Sequence, residues 1–305
     1  MLAFTIRRIL WLFPVLFLVA FITFSLMHFV PGGPWSGQKK LPDQARANLE
    51  RKYGLDKPVY EQFGLYVLDL AQGDLGVSYR QSNRPVRDIL MEQAPRTAVL
   101  GLMALTVAVV LGVSLGLLSA IRQNSIIDYV SVVFATFGAS VPSFVLGMLL
   151  LILFSAYLHW LPSSGWGTWQ QAIMPVTALS VLPTAYIARV TRASMLEVLQ
   201  QDYIRTARSK GLRENTIVLR HILRNGLIPV LTVIGPVAAA LVTGSFIIEY
   251  LFSIPGIGRF FVTSIAARDY GMIMGTTLFY TTVVVMANLI VDLLYAVADP
   301  RIKYQ

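Results

Sequence analysis

The sequence predicts an all-α, polytopic membrane protein with six membrane-spanning helices, and three observations carry that prediction. Hydrophobic residues make up 55% of the 305 and charged residues only 13%, where a soluble globular domain carries about 25% charged residues. Mean hydropathy is +0.64. Six apolar runs also lack charge near their centres, and a membrane helix needs about 20 such residues. Disorder is excluded by the apolar content and by aromatics at 11%. The chain has no cysteine, which excludes disulfides, thiolate metal sites, iron–sulfur clusters and cysteine nucleophiles.

The runs follow in order. Ile9 to Val30 is closed by Pro31-Gly32-Gly33-Pro34. It follows Arg7-Arg8 as a signal peptide would. It exceeds the usual apolar region of about 7–15 residues and no A-x-A pattern follows, so it reads as a retained helix. Residues 31–96 form an outer loop with a small helical cap. Asp43 starts a helix through Lys52. Asp56 and Pro58 start another, in which Val59, Phe63, Tyr66, Val67 and Leu70 recur at helical spacing. Gly73-Asp74-Leu75-Gly76 ends it, and Val86, Ile89 and Leu90 mark a short amphipathic stretch before Pro95. Span two, Thr97 to Ile121, has no ionisable residue. Span three, Tyr129 to Leu158, contains Pro142, so a tilt or kink is expected. Span four is Met174 to Val190, span five Leu227 to Leu251 and span six Ile273 to Ala298. The domain reading is 1–30, an outer loop domain 31–96, and a five-span core 97–305 holding an inner loop at 191–226.

Lys and Arg set the orientation. Arg7, Arg8, Arg122, Arg189, Arg192, Arg205, Arg208, Lys210, Arg213, Arg220, Arg224, Arg301 and Lys303 fall on one side. The opposite loop at 159–173 has none, and 250–271 has Arg259 and Arg268. Both termini are therefore expected in the cytoplasm. Trp160, Trp166 and Trp169 crowd the uncharged loop as an interfacial aromatic belt would. Of the net charge of +9, the segment from Arg189 to Arg224 carries +5. The excess does not describe a basic surface for nucleic acid.

That loop is the most informative segment. Asp202 is placed to cap a helix through Lys210, with Arg205, Arg208 and Lys210 toward its negative end. Gly211 is placed as a left-handed terminator. Tyr203 and Ala207 share one face at i and i+4, and a partner could grip that surface. A second helix is expected from Glu214 to about Asn225-Gly226.

The run Arg205-Thr206-Ala207-Arg208-Ser209-Lys210-Gly211 resembles the cytoplasmic Glu-Ala-Ala loop of ABC-importer permeases. It keeps the second alanine as Ala207 and the glycine as Gly211, has Arg205 and Thr206 in place of Glu and Ala, and lacks the Ile-x-Leu-Pro ending at its usual spacing. Further strings resemble the oligopeptide/dipeptide subfamily. They are Arg7-Arg8-Ile9-Leu10, Tyr53-Gly54-Leu55-Asp56-Lys57-Pro58, Gly73-Asp74-Leu75-Gly76-Val77-Ser78, Pro255-Gly256-Ile257-Gly258, Arg268-Asp269-Tyr270 and Asp299-Pro300-Arg301. Gly33 departs from the subfamily, which usually has Asp there.

The resemblance implies the type I ABC-importer permease fold and one of two homologous permease subunits in a prokaryotic cytoplasmic membrane. Two cytoplasmic ATPases would bind ATP and Mg, and an extracytoplasmic binding protein would deliver a di- or oligopeptide. Asp202, Tyr203, Arg205, Ala207, Lys210 and Gly211 would couple to the ATPase. Pro142, Ser143 and Phe144 could line the path or mark an ordinary kink. Glu249 could contact a peptide amine or be a solvated helix-end acid. Nickel chelates, glutathione and oligosaccharides are alternative cargoes of such permeases.

No P-loop is present, because Gln38 stands where the motif of residues 32–39 needs Lys. The expected partners are those subunits and membrane lipids, with no nucleic acid, and no cofactor or metal is expected on this chain. An ion-coupled transporter remains as an alternative, but its acids, Asp128, Glu249 and Asp292, lie toward span ends. An enzyme is not expected. His28, His159 and His221 are scattered, and no H-E-x-x-H or G-x-S-x-G string occurs. Gly112-x-x-x-Gly116 and Gly271-x-x-x-Gly275 suggest close helix packing, with dimerisation as the other reading.

Overall fold

The computed structural model describes residues 2–35, 43–81 and 84–298, and the regular structure among them is helical. In chain order the helices are α1 (Leu2–Phe29), α2 (Asp43–Lys52), α3 (Val59–Ala71), α4 (Val86–Ile121), α5 (Ile126–Ser140) and α6 (Ser143–Leu150, continued by a π-helix Leu151–Tyr157). There follow α7 (Trp169–Leu199), α8 (Asp202–Ser209), α9 (Glu214–Ile217), a π-turn (Val218–Ile222) and α10 (Leu223–Gly226). The last four are α11 (Ile228–Val242), α12 (Phe246–Leu251), α13 (Ile257–Ala267) and α14 (Tyr270–Ala298).

Four segments are long and apolar enough to cross a bilayer: Ile6–Phe29, Val86–Ile121, Trp169–Leu199 and Tyr270–Val291. Two bent pairs are apolar enough to add one crossing each if each pair acts as a single span. Ile126–Ser140 meets Ser143–Tyr157 at 103°, and Glu214–Gly226 meets Ile228–Val242 at 54°. Counting each pair once gives six.

Three boundaries differ from the sequence reading. The helix that holds span two starts at Val86, so the amphipathic stretch before Pro95 is the beginning of α4 itself. Val86, Ile89 and Leu90 are buried there against Ile257 and Met272. The helix that holds span four starts at Trp169, before Met174, and runs to Leu199 through Pro175 and Pro183. A cap sets that start: the Gln171 carboxamide accepts the Thr168 N–H at 3.1 Å. Span five stops at Val242 because Gly244 turns left-handed, with φ of +92°. The kink at Pro142 is a sharp break. Val141 before the proline is extended (φ −93°, ψ 120°), the conformation that proline imposes on its predecessor.

The chain forms two compact units. One takes the described residues up to Arg96 and from Pro255 onward, and the other is Thr97–Ile254.

In the first unit α1 packs along α14. Ala20, Phe24 and Met27 meet Ile273, Met274 and Leu278, and α3 adds Phe63, Tyr66 and Leu70. Gly271 lies against the Val77 carbonyl and Gly275 against the Val86 side chain. The buried Asp269 joins this cap to α14. It accepts from Ser78 Oγ at 2.5 Å and Tyr79 N at 3.0 Å, and it caps α14 through Met272 N at 3.2 Å.

In the second unit α4 meets α7 through Gly112, which faces Ile187 and the Thr184 carbonyl, and through Gly116, which faces the Ala188 carbonyl and Thr191. Gly101 meets the Leu241 backbone of α11 in the same way. Both glycine motifs therefore serve packing within the chain.

An ionic clamp joins α4, α5 and α7. Asp128 is buried and receives Arg192 Nε at 2.7 Å and Nη2 at 2.8 Å. It also receives Ser119 Oγ at 2.5 Å and Asn124 N at 3.0 Å. Breaking a buried pair on one side is far worse than replacing both partners. Asp128→Ala should therefore lower stability by about 3 kcal/mol, and Asp128→Ala with Arg192→Met should recover most of that loss. Reversible unfolding in mixed micelles measures both, and a single variant as stable as the parent would show that the clamp contributes nothing.

Candidate functional site

The segment between α7 and α11 folds as a packed body on the end of α7. Helix α8 begins after Gln201, whose backbone is extended (φ −70°, ψ 145°). Asp202 is the first helical residue, and Gln201, without a side-chain cap, holds the position expected of Asp202. The Asp202 carboxylate makes only a 3.7 Å ion pair with Arg205, both largely exposed. Its remaining contribution is a negative charge at the positive end of the helix.

The other end matches the expectation. Lys210 is the C-cap and Gly211 follows with φ of +75°. Gly211 N donates to Arg208 O at 2.9 Å, and Leu212 N reaches back to Ala207 O at 3.3 Å. This pairing satisfies carbonyls that the end of a helix leaves open.

The face of α8 that packs inward was misread from the sequence. Ala207 was expected on an exposed surface with Tyr203. It is buried at 6% exposure, and Ile204, which sequence reasoning missed, is at 0%. The two pack on Ala120, Met195, Ile217 and Ile222. The signal was present: Ile204 and Ala207 stand at i and i+3 with polar or charged residues around them. Tyr203 stays 41% exposed, and its hydroxyl accepts Asn225 Nδ2 at 3.0 Å. Asp202, Arg205, Thr206, Arg208, Ser209 and Lys210 complete the exposed face.

Two further contacts seat the loop. Arg208 Nε pairs with Glu214 Oε1 at 2.8 Å, which ties α8 to α9. Ser194 Oγ of α7 donates to Gly226 O at 2.8 Å, and Gly226 leaves room for the Met195 side chain. The result is a short helix with a fixed inner face and an outer face free to meet a partner. Among the described residues it holds no group of three or more His, Asp or Glu that could bind a metal.

Pro142, Ser143 and Phe144 stand at the break that opens α6, with Pro142 and Phe144 exposed. Glu249 is not solvated. It is fully buried on α12 and accepts Thr97 Oγ1 at 3.1 Å, which overturns its reading as a solvated helix-end acid. Helix α12 packs on α6 at Gly147, which Ile248, Leu251 and Phe252 approach. The structure thus puts the two expected path segments on adjacent helices of one unit.

The histidines are dispersed. His28 Nε2 lies 3.2 Å from Gln62 Oε1, His159 bonds the Ser155 carbonyl at 3.0 Å, and His221 is in the π-turn. Among the described residues no group of three or more His, Asp or Glu could hold a metal. Residues 36–39 of the P-loop-like string, and Asp299, Pro300, Arg301 and Lys303, lie outside the described residues.

Residues 112–304 match the family described as binding-protein-dependent transport system inner membrane component, and residues 1–101 match its N-terminal family. The oligopeptide transport system permease protein OppB of Haemophilus influenzae is 42% identical over all of both chains. The dipeptide transport system permease protein DppB of Lactococcus lactis is 44% identical over 99% of this chain and 100% of its own. Among solved structures, the MetNI methionine ABC transporter in an inward-facing conformation covers 69% of this chain and 96% of its own, with TM-score 0.57 at 18% identity. An amino acid ABC transporter with histidines covers 68% and 93%, with TM-score 0.54 at 16% identity. These two share the fold. The chain therefore belongs to the inner membrane components of binding-protein-dependent transport systems, as a non-catalytic permease subunit of an ABC importer.

Proposed function

We propose that this permease moves di- or oligopeptides inward. In this reading it pairs with a second homologous permease, and the pair docks on two cytoplasmic ATPases that bind ATP and Mg. An extracytoplasmic binding protein delivers the peptide. Both termini, and with them α8, lie in the cytoplasm. The names of the relatives at 42–44% identity over the full length favour peptides over nickel chelates, glutathione or oligosaccharides. The distribution of Lys and Arg favours the orientation.

The observation that carries the coupling assignment is the two-sided construction of α8. Its inner face is fixed by Ile204 and Ala207, and Tyr203, Arg205 and Thr206 face outward. A helix seated this way moves with α7 as one piece when its outer face is pushed. ATP-driven closure of a partner is a two-state event that such a body transmits. Asp202, Lys210 and Gly211 hold the helix ends in register. The break at Pro142 and the adjacent α12 are the segments we assign to the path.

The lack of native cysteine makes single-cysteine scanning clean. Cysteines replacing Arg205 or Thr206 should react with a polar maleimide in inside-out membranes and be protected once the ATPases assemble. A cysteine at Ala207 should react slowly in both states. Unchanged labelling at Arg205 and Thr206 on assembly would refute docking through α8.

Gly211→Val puts a branched side chain where φ is +75°, at a cost of about 1–2 kcal/mol or more. The variant should insert normally yet take up less labelled peptide per ATP hydrolysed. A parental ratio of uptake to hydrolysis would refute the role of the helix terminus.

A further inference from the structure

The first unit carries a groove of about 520 Å³ where α1 ends and α14 begins. Helix α14 supplies its floor through Ile273 and Thr277. Leu26 and Val30 of the first span form one wall, and Phe261 and Ile265 of α13 the other. Leu26, Val30 and Ile265 are 61%, 53% and 52% exposed. Two of its helices, α1 and α14, are long and apolar enough to cross a bilayer, and α13 is a short apolar helix beside their outer ends.

The mouth is basic. Arg268 lines it from a left-handed position (φ 55°) and donates Nη1 to the Pro31 carbonyl at 2.8 Å. Arg80 lies beside the same turn and donates to the Ala267 carbonyl at 2.7 Å and the Pro34 carbonyl at 3.0 Å. Among the described residues, the carboxylate bonded at this turn is Asp269, buried and enclosed by Ser78 Oγ, Tyr79 N, Arg80 N and Met272 N. The Tyr270 hydroxyl, near the Met27 carbonyl at 3.2 Å, adds a polar rim. An apolar slot in the membrane beneath a net positive mouth matches one class of molecule in shape and charge. It has an acyl chain and an anionic phosphate headgroup.

We infer that this groove is a specific site for an anionic glycerophospholipid, with an acyl chain between α1 and α13 and the phosphate at Arg268. A protein partner seated in the same groove would need no cation at the mouth. The site depends only on membrane insertion and not on the identity of the cargo.

The test uses the intact transporter extracted from membranes holding both phosphatidylglycerol and phosphatidylethanolamine. Native mass spectrometry after detergent washing reads the retained lipid. The parent should keep phosphatidylglycerol after phosphatidylethanolamine is gone. Arg268→Gln should lower that retention about tenfold, the value of one charge-assisted contact. Arg268→Lys should keep most of it, which separates loss of charge from loss of fold. Ile265→Trp, at an exposed position on the wall, should displace the lipid with the charge intact. Equal retention in the parent, Arg268→Gln and Ile265→Trp would overturn the inference. So would efficient crosslinking of cysteines at Leu26 and Ile265 to another subunit of the purified transporter, because the groove would then be a protein interface.

Discussion

The architecture rests on how closely one helix backbone can approach another. Lipid tails are as apolar as leucine, so helices in a bilayer gain nothing from hiding apolar surface from water. They adhere through van der Waals contact and hydrogen bonds. Contact at that range needs positions without a side chain. Gly112 and Gly116 bring α4 onto the α7 backbone, and Gly101 brings it onto α11. In the other unit Gly271 brings α14 onto the Val77 backbone, and Gly275 makes room for the Val86 side chain. A side chain at Gly101 or Gly271 would strike a main-chain carbonyl, which no rotamer change relieves.

Close packing also explains how the broken spans are tolerated. A helix interrupted inside a bilayer leaves backbone groups that only protein can satisfy. The break at Pro142 lies between two helices that both pack on α7, and the turn at Gly244 leads into α12, which packs on α6 and α7. Helix α7 is the common support. Its 31 residues span about 46 Å, more than the roughly 30 Å of hydrocarbon. It therefore extends past the membrane core to the base of α8. The Asp128–Arg192 clamp lies near that end, where α4, α5 and α7 converge.

Much of this was legible in the sequence because lipid leaves few options. Six uncharged runs predict six crossings, and the helices allow up to six. Gly211 followed a run of cations, and a left-handed terminator was the natural reading. What could not be read depended on tertiary contact. Prolines at 95 and 175 mark helix ends in most contexts, but here capping and packing carry α4 and α7 through them. The pairing of Tyr203 with Ala207 used a correct helical spacing and the wrong face. Which stripe of α8 is buried is decided by Met195 and Ile217, residues on other elements. Glu249 resembled a helix-end acid only while α12 was counted as the tail of span five. The clamp is hidden for a related reason: Asp128 and Arg192 are 64 residues apart, and by sequence Arg192 reads as one of the loop cations.

If α8 docks on an ATPase as proposed, its two faces are constrained by different contacts. Ile204 and Ala207 are bound to the fold, because any change there must be matched on α7, α9 and the π-turn. Asp202, Arg205, Thr206 and Ser209 carry no such debt to the core. Related transporters in one cell could therefore diverge in which motor subunit they accept by changing only the outer residues. Under that reading, the docking surface could change while the buried face of Ile204 and Ala207 stays the same.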